Sequence, residues 1–214
     1  MSVADILENA EEIYGPDEFL YRGQIYIPLN PKAQGNPYIT DKDWVLSDIT
    51  LVGEVYQNLE AKYDVHLDLL IIKKEIKGTE VHQPIQLNKE LVDGFTFQQH
   101  RFTKLSQVDS SGILGGYVEV IYRDKIIFIQ KFSKNFLNQY SQSNPYGSYS
   151  KLLTEYFIME DGNITKISNK KSLVRYFEPI KKSLKKEMRK MNFRFKNASS
   201  SDFYEILSWC ERNS

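Results

Sequence analysis

The chain has 214 residues, 41% of them hydrophobic, and balances 28 Lys and Arg against 28 Asp and Glu. That is enough for a sizeable core in one large or two small domains, and zero net charge argues against a whole-surface field built for nucleic acid. The one cysteine, Cys210, excludes an intrachain disulfide and a cysteine-built zinc site, and no apolar run reaches the ~18–20 residues that span a membrane.

In chain order, residues 2–14, SVADILENAEEIY, fit a short helix. Ser2 and Asp5 have capping-box spacing, Ile6, Leu7, Ala10 and Ile13 share a face, and Gly15-Pro16 ends it. This acidic, amphipathic start lacks the basic-then-apolar order of a signal peptide, which excludes an intact one here but not one already removed. From about 19 the pattern shifts to short alternating runs. FLYRGQIYIPL predicts a hairpin at Arg22-Gly23, followed by strands in WVLSDITL, EVYQNLEAKY, VHLDLLIIKK, PIQL, VDGFTFQ and HRFTKL. YVEVIYRDKIIFIQKF predicts strand–turn–strand near Arg123-Asp124, and TEYFIMEDGNITKIS a hairpin at Asp161-Gly162. With 14 Tyr and 12 Phe and no β–helix–β alternation, the class is mainly β (α+β): an antiparallel barrel, curved sheet or sandwich.

Residues 133–150, SKNFLNQYSQSNPYGSYS, read as a long polar surface loop. Leu173, Phe177, Ile180, Leu184, Met188 and Met191 recur at helical spacing. Pro179 starts or kinks that helix. A last helix begins near Ser201-Asp202 and buries Phe203, Ile206, Leu207 and Cys210. The expected organisation is an N-terminal helix over 1–18, an antiparallel β domain over 19–168, and a C-terminal helical segment over 169–214 packed on it, as a single structural unit.

The chemistry-bearing residues are few. In YDVHLDLLII, Asp64, His66 and Asp68 alternate with apolar residues, which on a strand places them on one face about 6.5–7 Å apart. A metal needs further ligands from elsewhere, and neither His82 nor His100 has the spacing. The row therefore reads as the wet face of a strand, with no metal and no cofactor expected. Glu119, within VEV, points outward or into a barrel interior. Asp64, His66, Asp68 and Glu119 are the weak candidates for acid–base catalysis should the protein be a hydrolase or other enzyme. Ser110 and Ser111 lack a nucleophile elbow. Gly112, Gly115 and Gly116 precede a strand, not the helix a phosphate loop needs. Residues 166–196 hold twelve Lys or Arg with only Glu178 and Glu187 as acids, whereas the first twenty residues hold six acids and no base. Such a segment reads as a helix with a solvated basic face, or as a contact for anionic lipid, nucleic acid or an acidic partner. Tyr140, Tyr146 and Tyr149 offer large contact area at low entropy cost for binding.

The blocks YRGQIYIPL, GNPYITDKDWVLSDITLVGEVYQNLEAKYDVHLDLLII, PIQLNKELVDGFTFQQHRFTKL, GGYVEVIY and YFIMEDGNITKISNKKSLVRYFEPIKKSLKKEMRK, in that order, cover most of residues 20–192. Together they resemble a family of uncharacterised exported proteins of Bacteroidota, β-rich with a Lys-rich C-terminal helix. The resemblance implies an extracytoplasmic home, periplasmic or outer-membrane associated. It brings no catalytic residues, and His66 stands where the family pattern has an aromatic or other residue. The expectation is a non-enzymatic envelope protein that binds a protein, glycan or lipid, with the enzyme above as the alternative.

Overall fold

The structure, a computed structural model, describes residues 20, 23–76, 81–105 and 115–214. The helix expected over 2–14, Arg22, Ser110, Ser111 and Gly112 lie outside the described residues. The fold is mainly β, with antiparallel pairing and C-terminal helices. It divides into two compact units, one reaching to Lys104 and including Ser133–Leu153, the other made of Leu105–Phe132 and Thr154–Ser214.

The first unit holds β1 (Gln24–Ile25), β2 (Val45–Leu51), β3 (Glu54–Asp64), β4 (Leu69–Glu75), β5 (His82–Gln86), β6 (Val92–Phe97) and β7 (His100–Lys104). Their order is β1-β5-β4-β3-β2-β6-β7. β1 pairs with β5, so Gly23 leads into an edge strand and the pairing partner comes from sixty residues on. β2 and β3 join through Val52 and Gly53, both at positive φ (50° and 81°). Two such residues form the hairpin turn whose twist suits the flanking strands. Tyr63, Phe95 and Phe102 meet in the core with ring centroids 4.9–5.1 Å apart. Gly94 lets β6 approach β7 closely: a Cβ there would lie 2.6 Å from the Phe102 carbonyl oxygen. Leu70, Ile71 and Ile72 are all buried, so β4 is covered on both faces at this point, as a continuous apolar run in a strand implies.

Two sequence expectations are corrected in this unit. The strand expected through VHLDLLIIKK begins only at Leu69, and Val65–Asp68 is a turn between β3 and β4. Asp64, His66 and Asp68 therefore share no strand face. The expected long loop over 133–150 contains a small hairpin, with β10 (Phe136–Leu137) paired to β11 (Ser148–Tyr149).

The second unit holds β8 (Tyr117–Arg123), β9 (Ile127–Ser133), β12 (Leu153–Glu160) and β13 (Asn163–Lys166), in the order β8-β9-β12-β13. Asp161 and Gly162, at φ 47° and 77°, turn β12 into β13 with Glu160 opposite Asn163. In neither unit does the strand order close on itself among the described residues, so each unit carries an open antiparallel sheet and not a closed barrel. Helix α1 (Lys170–Tyr176) starts at Asn169, which forms a capping box with Ser172. Pro179 lies in a 3-10 turn, Glu178–Ile180, that breaks the apolar stripe before α2 (Lys181–Lys190). α3 (Ser200–Asn213) closes the unit. Leu173, Phe177, Leu184 and Met188 pack in one core with Phe203, Ile206, Leu207 and Cys210.

The start of α3 carries a testable capping box. Ser199 Oγ accepts from the Asp202 N–H at 3.2 Å, and Asp202 Oδ2 accepts from the Ser199 N–H at 2.8 Å. The Ser199 backbone N–H first, and then its hydroxyl, hold the Asp202 carboxyl below its ordinary value. A carboxyl depressed on folding contributes stability above its unfolded pKa, about 3.9, and that contribution is lost as pH falls through the folded value. Ser199→Ala is expected to cost about 1 kcal/mol near neutral pH. The difference should shrink in acid as Asp202 protonates. Urea titrations at neutral and acid pH check both parts, and equal midpoints at neutral pH refute the cap.

Candidate functional site

Asp64 ends β3 and is only 1% exposed. This corrects the expectation of a wet face. One carboxylate oxygen accepts from the backbone N–H groups of His66 and Leu67, both at 2.9 Å. That is the Asx-turn arrangement in which a short carboxylate replaces a backbone turn acceptor. The other oxygen accepts from the Tyr26 hydroxyl at 2.8 Å. Backbone pairing adds to this: Tyr38 bridges Asp64, the Ile39 N–H donates to the Tyr63 carbonyl, and the Val65 N–H donates to the Pro37 carbonyl. Two distant segments thus meet at the end of β3: Tyr26 through its hydroxyl on the carboxylate, and residues 37–39 through backbone pairing.

The phenols around it are held neutral. Burial, and then the Asp64 charge, push Tyr26 far above the ordinary tyrosine value. Tyr38 is also raised, by burial first; the neighbouring Tyr26 hydroxyl opposes the rise and Asp64 adds to it. A neutral Tyr26 can donate to Asp64, which a phenolate could not.

His66 continues the chain of contacts. Its Nδ1 lies 2.9 Å from the Lys134 carbonyl oxygen. A carbonyl only accepts, so the imidazole carries a proton on Nδ1. The ring meets Tyr149 edge-on at 5.5 Å, and Tyr149 meets Phe136 at 5.3 Å. The Lys134 side chain, 9% exposed, turns the other way. Its Nζ donates to the carbonyl and side-chain oxygens of Asn36 at 3.1 and 3.2 Å. Burial lowers its pKa, while Asp41 and Asp64 oppose that shift. Asn36 in turn donates to Asp41 at 2.7 Å.

Asp68 belongs to a different set of contacts. It sits at φ 58°, accepts from the Tyr63 hydroxyl at 2.7 Å and pairs with Lys89. Glu119 lies in the second unit, buried in β8 opposite Gln130 of β9. The structure thus brings Asp64 and His66 together in one turn, turns Asp68 to separate partners and leaves Glu119 in the other unit. Among the described residues no group of three or more His, Cys, Asp or Glu is placed to hold a metal ion. Chemically, the Asp64 carboxylate is sealed from solvent with its acceptor sites engaged by three donors. That geometry fixes a turn and the base of the β10–β11 hairpin; it does not present a base to a substrate.

What the hairpin presents outward differs in kind. Tyr140 and Tyr146 are 63% and 52% exposed, whereas Tyr149 is half-buried against His66 and Phe136. Tyr146 lines a cleft of about 210 Å³ with Leu29, Pro31, Lys32 and Ala33. The Lys32 ammonium sits 5.3 Å from its ring centroid, a cation–π distance. Leading into this cleft is an alternating row: Tyr26 is buried while Ile25, Ile27 and Leu29 are exposed, Ile27 at 78%. The tyrosines stand out as binding candidates in the sequence, whereas this aliphatic row and Lys32 do not. The alternation in QIYIPL was the available signal. Comparisons with protein-family models, with curated proteins and with solved structures returned no match.

Proposed function

We propose that this is an exported, non-enzymatic binding protein of the cell envelope that engages a protein partner through the Ile25–Leu29 row and the Tyr146 cleft. The observation that carries the reading is the aliphatic row, left open to solvent beside an exposed tyrosine. Covering apolar surface is worth ~25 cal/mol per Å², and three aliphatic side chains exposed at alternate positions 25, 27 and 29 offer such surface to a partner. Aliphatic side chains favour a protein surface over a glycan, which stacks on aromatic faces and needs many polar partners. The resemblance to exported Bacteroidota proteins supports the envelope location. The sealed state of Asp64 favours binding over acid–base chemistry.

Two measurements test this. Fractionation of native cells should recover the protein outside the cytosol, and recovery in the cytosol ends the export claim. Leu29→Ser combined with Tyr146→Ala should weaken partner retention from native envelope extracts about tenfold or more, the equivalent of ~1.4 kcal/mol, with the melting temperature unchanged. Undiminished retention removes this surface as the binding face.

A further inference from the structure

Helices α1 and α2 border a cleft of about 560 Å³ lined by Lys170, Lys171, Val174, Arg175, Glu178, Lys181 and Lys185. Its size is that of a small-molecule site. Five of its seven lining residues are cations and one is an acid. The break at Pro179 creates this arrangement. Lys171 and Arg175 lie four apart on α1, Lys181 and Lys185 four apart on α2, and the 3-10 turn between them brings both rows to one cleft. Like charges at this spacing destabilise a helix, so the arrangement costs stability unless something offsets it.

Neighbouring cations of the same unit show how the fold can do so. Lys166 pairs with Glu155, and Lys190 with Glu187. Among the described residues, only Lys181 at the cleft has such a partner, Glu178, at 2.7 Å. Among the described residues, Lys170, Lys171, Arg175 and Lys185 have no acidic partner within ion-pair distance. The cleft wall is anchored by Val174, which is buried, while the cationic heads stand in or near water. Apolar residues that could insert into a bilayer are absent from the lining.

We propose that this cleft binds a ligand carrying several phosphate charges, held by Lys170, Lys171, Arg175, Lys181 and Lys185. Arg175 supplies the planar donor fork that matches a phosphate, and the lysines supply point charges around it. Glu178 acts against the ligand by holding Lys181. The site is independent of the partner-binding face proposed above.

Calorimetry on the full chain with inorganic tripolyphosphate tests it. The expected result is one-to-one binding at low ionic strength that weakens as salt is added. Arg175→Gln with Lys185→Gln should weaken it about tenfold or more. Lys182→Gln with Lys186→Gln removes the same charge from exposed positions of α2 outside the cleft, and should leave the affinity within about twofold. Glu178→Gln should tighten binding by releasing Lys181. Phosphatidylcholine vesicles containing phosphatidylglycerol separate a lipid headgroup from a free phosphate compound. Capture by vesicles that tripolyphosphate reverses assigns the cleft to headgroup phosphates, and no capture assigns it to a soluble ligand. The proposal is overturned if tripolyphosphate does not bind, if both double variants weaken binding equally, or if vesicles capture the protein without competition from tripolyphosphate.

Discussion

Replacing Asp64 by alanine is expected to lower stability by about 3 kcal/mol or more, because each buried donor stripped of its acceptor costs ~1–3 kcal/mol. Three donors lose their acceptor: the Tyr26 hydroxyl and the N–H groups of His66 and Leu67. The His66 and Leu67 amides lie where water can reach more readily, so buried Tyr26 carries the largest share. For a chain of this size the loss corresponds to a fall in melting temperature of about 6–12 °C. Asp64→Asn should fall between, since an amide oxygen can serve one side while its NH₂ group confronts a donor on the other. The loss should also be felt at the base of the hairpin, which reaches Asp64 through His66 and the Lys134 carbonyl. Limited proteolysis of Asp64→Ala should therefore cut faster between β10 and β11 than in the parent protein. A melting temperature and cutting rate equal to the parent's would show that the carboxylate holds nothing in place.

Leu184→Asp tests the second unit with an effect of similar or larger size. Leu184 is fully buried and shares its core with Leu173, Phe177, Met188, Phe203, Ile206 and Leu207. The change removes buried methyl groups and places a carboxylate among them with no partner in that core, at a cost of about 4 kcal/mol or more. The outcome should be loss of the cooperative transition of this unit, or a large fall in its midpoint, followed by tryptophan fluorescence because Trp209 packs against the same core. An unchanged transition would show that α2 is an appendage.

Much of the fold could be read from local pattern. The apolar stripe from Leu173 to Met191, interrupted at Pro179, maps onto α1, the 3-10 turn and α2 because proline cannot donate to the preceding turn. Asp161-Gly162 places both positive-φ residues where a two-residue hairpin needs them. The stretch 63–72 was misleading for a physical reason. Val65–Asp68 makes its turn without glycine or proline, with Asp64 accepting the turn's N–H groups and Asp68 adopting positive φ. The alternation of apolar residues therefore runs unbroken through a change of direction. Nor does any spacing in the chain reveal that Asp64 is buried. Its burial depends on Tyr26, 38 residues earlier, and on pairing with 37–39, which only the assembled sheet brings together. The short strands β10 and β11 were hidden by the Asn, Ser and Gly content around them, since two residues on each side are too few to show a period.

The claim that this protein works by binding through the Ile25–Leu29 row and the Tyr146 cleft is tested most directly by site-specific photo-crosslinking in native cells. A photoreactive phenylalanine analogue is placed at Tyr146 or, as a control, at Leu46, an exposed position on β2. The account predicts one discrete protein adduct from position 146, lost when Leu29→Ser is added, and none from position 46. No adduct at 146, or the same adducts from both positions, would contradict it.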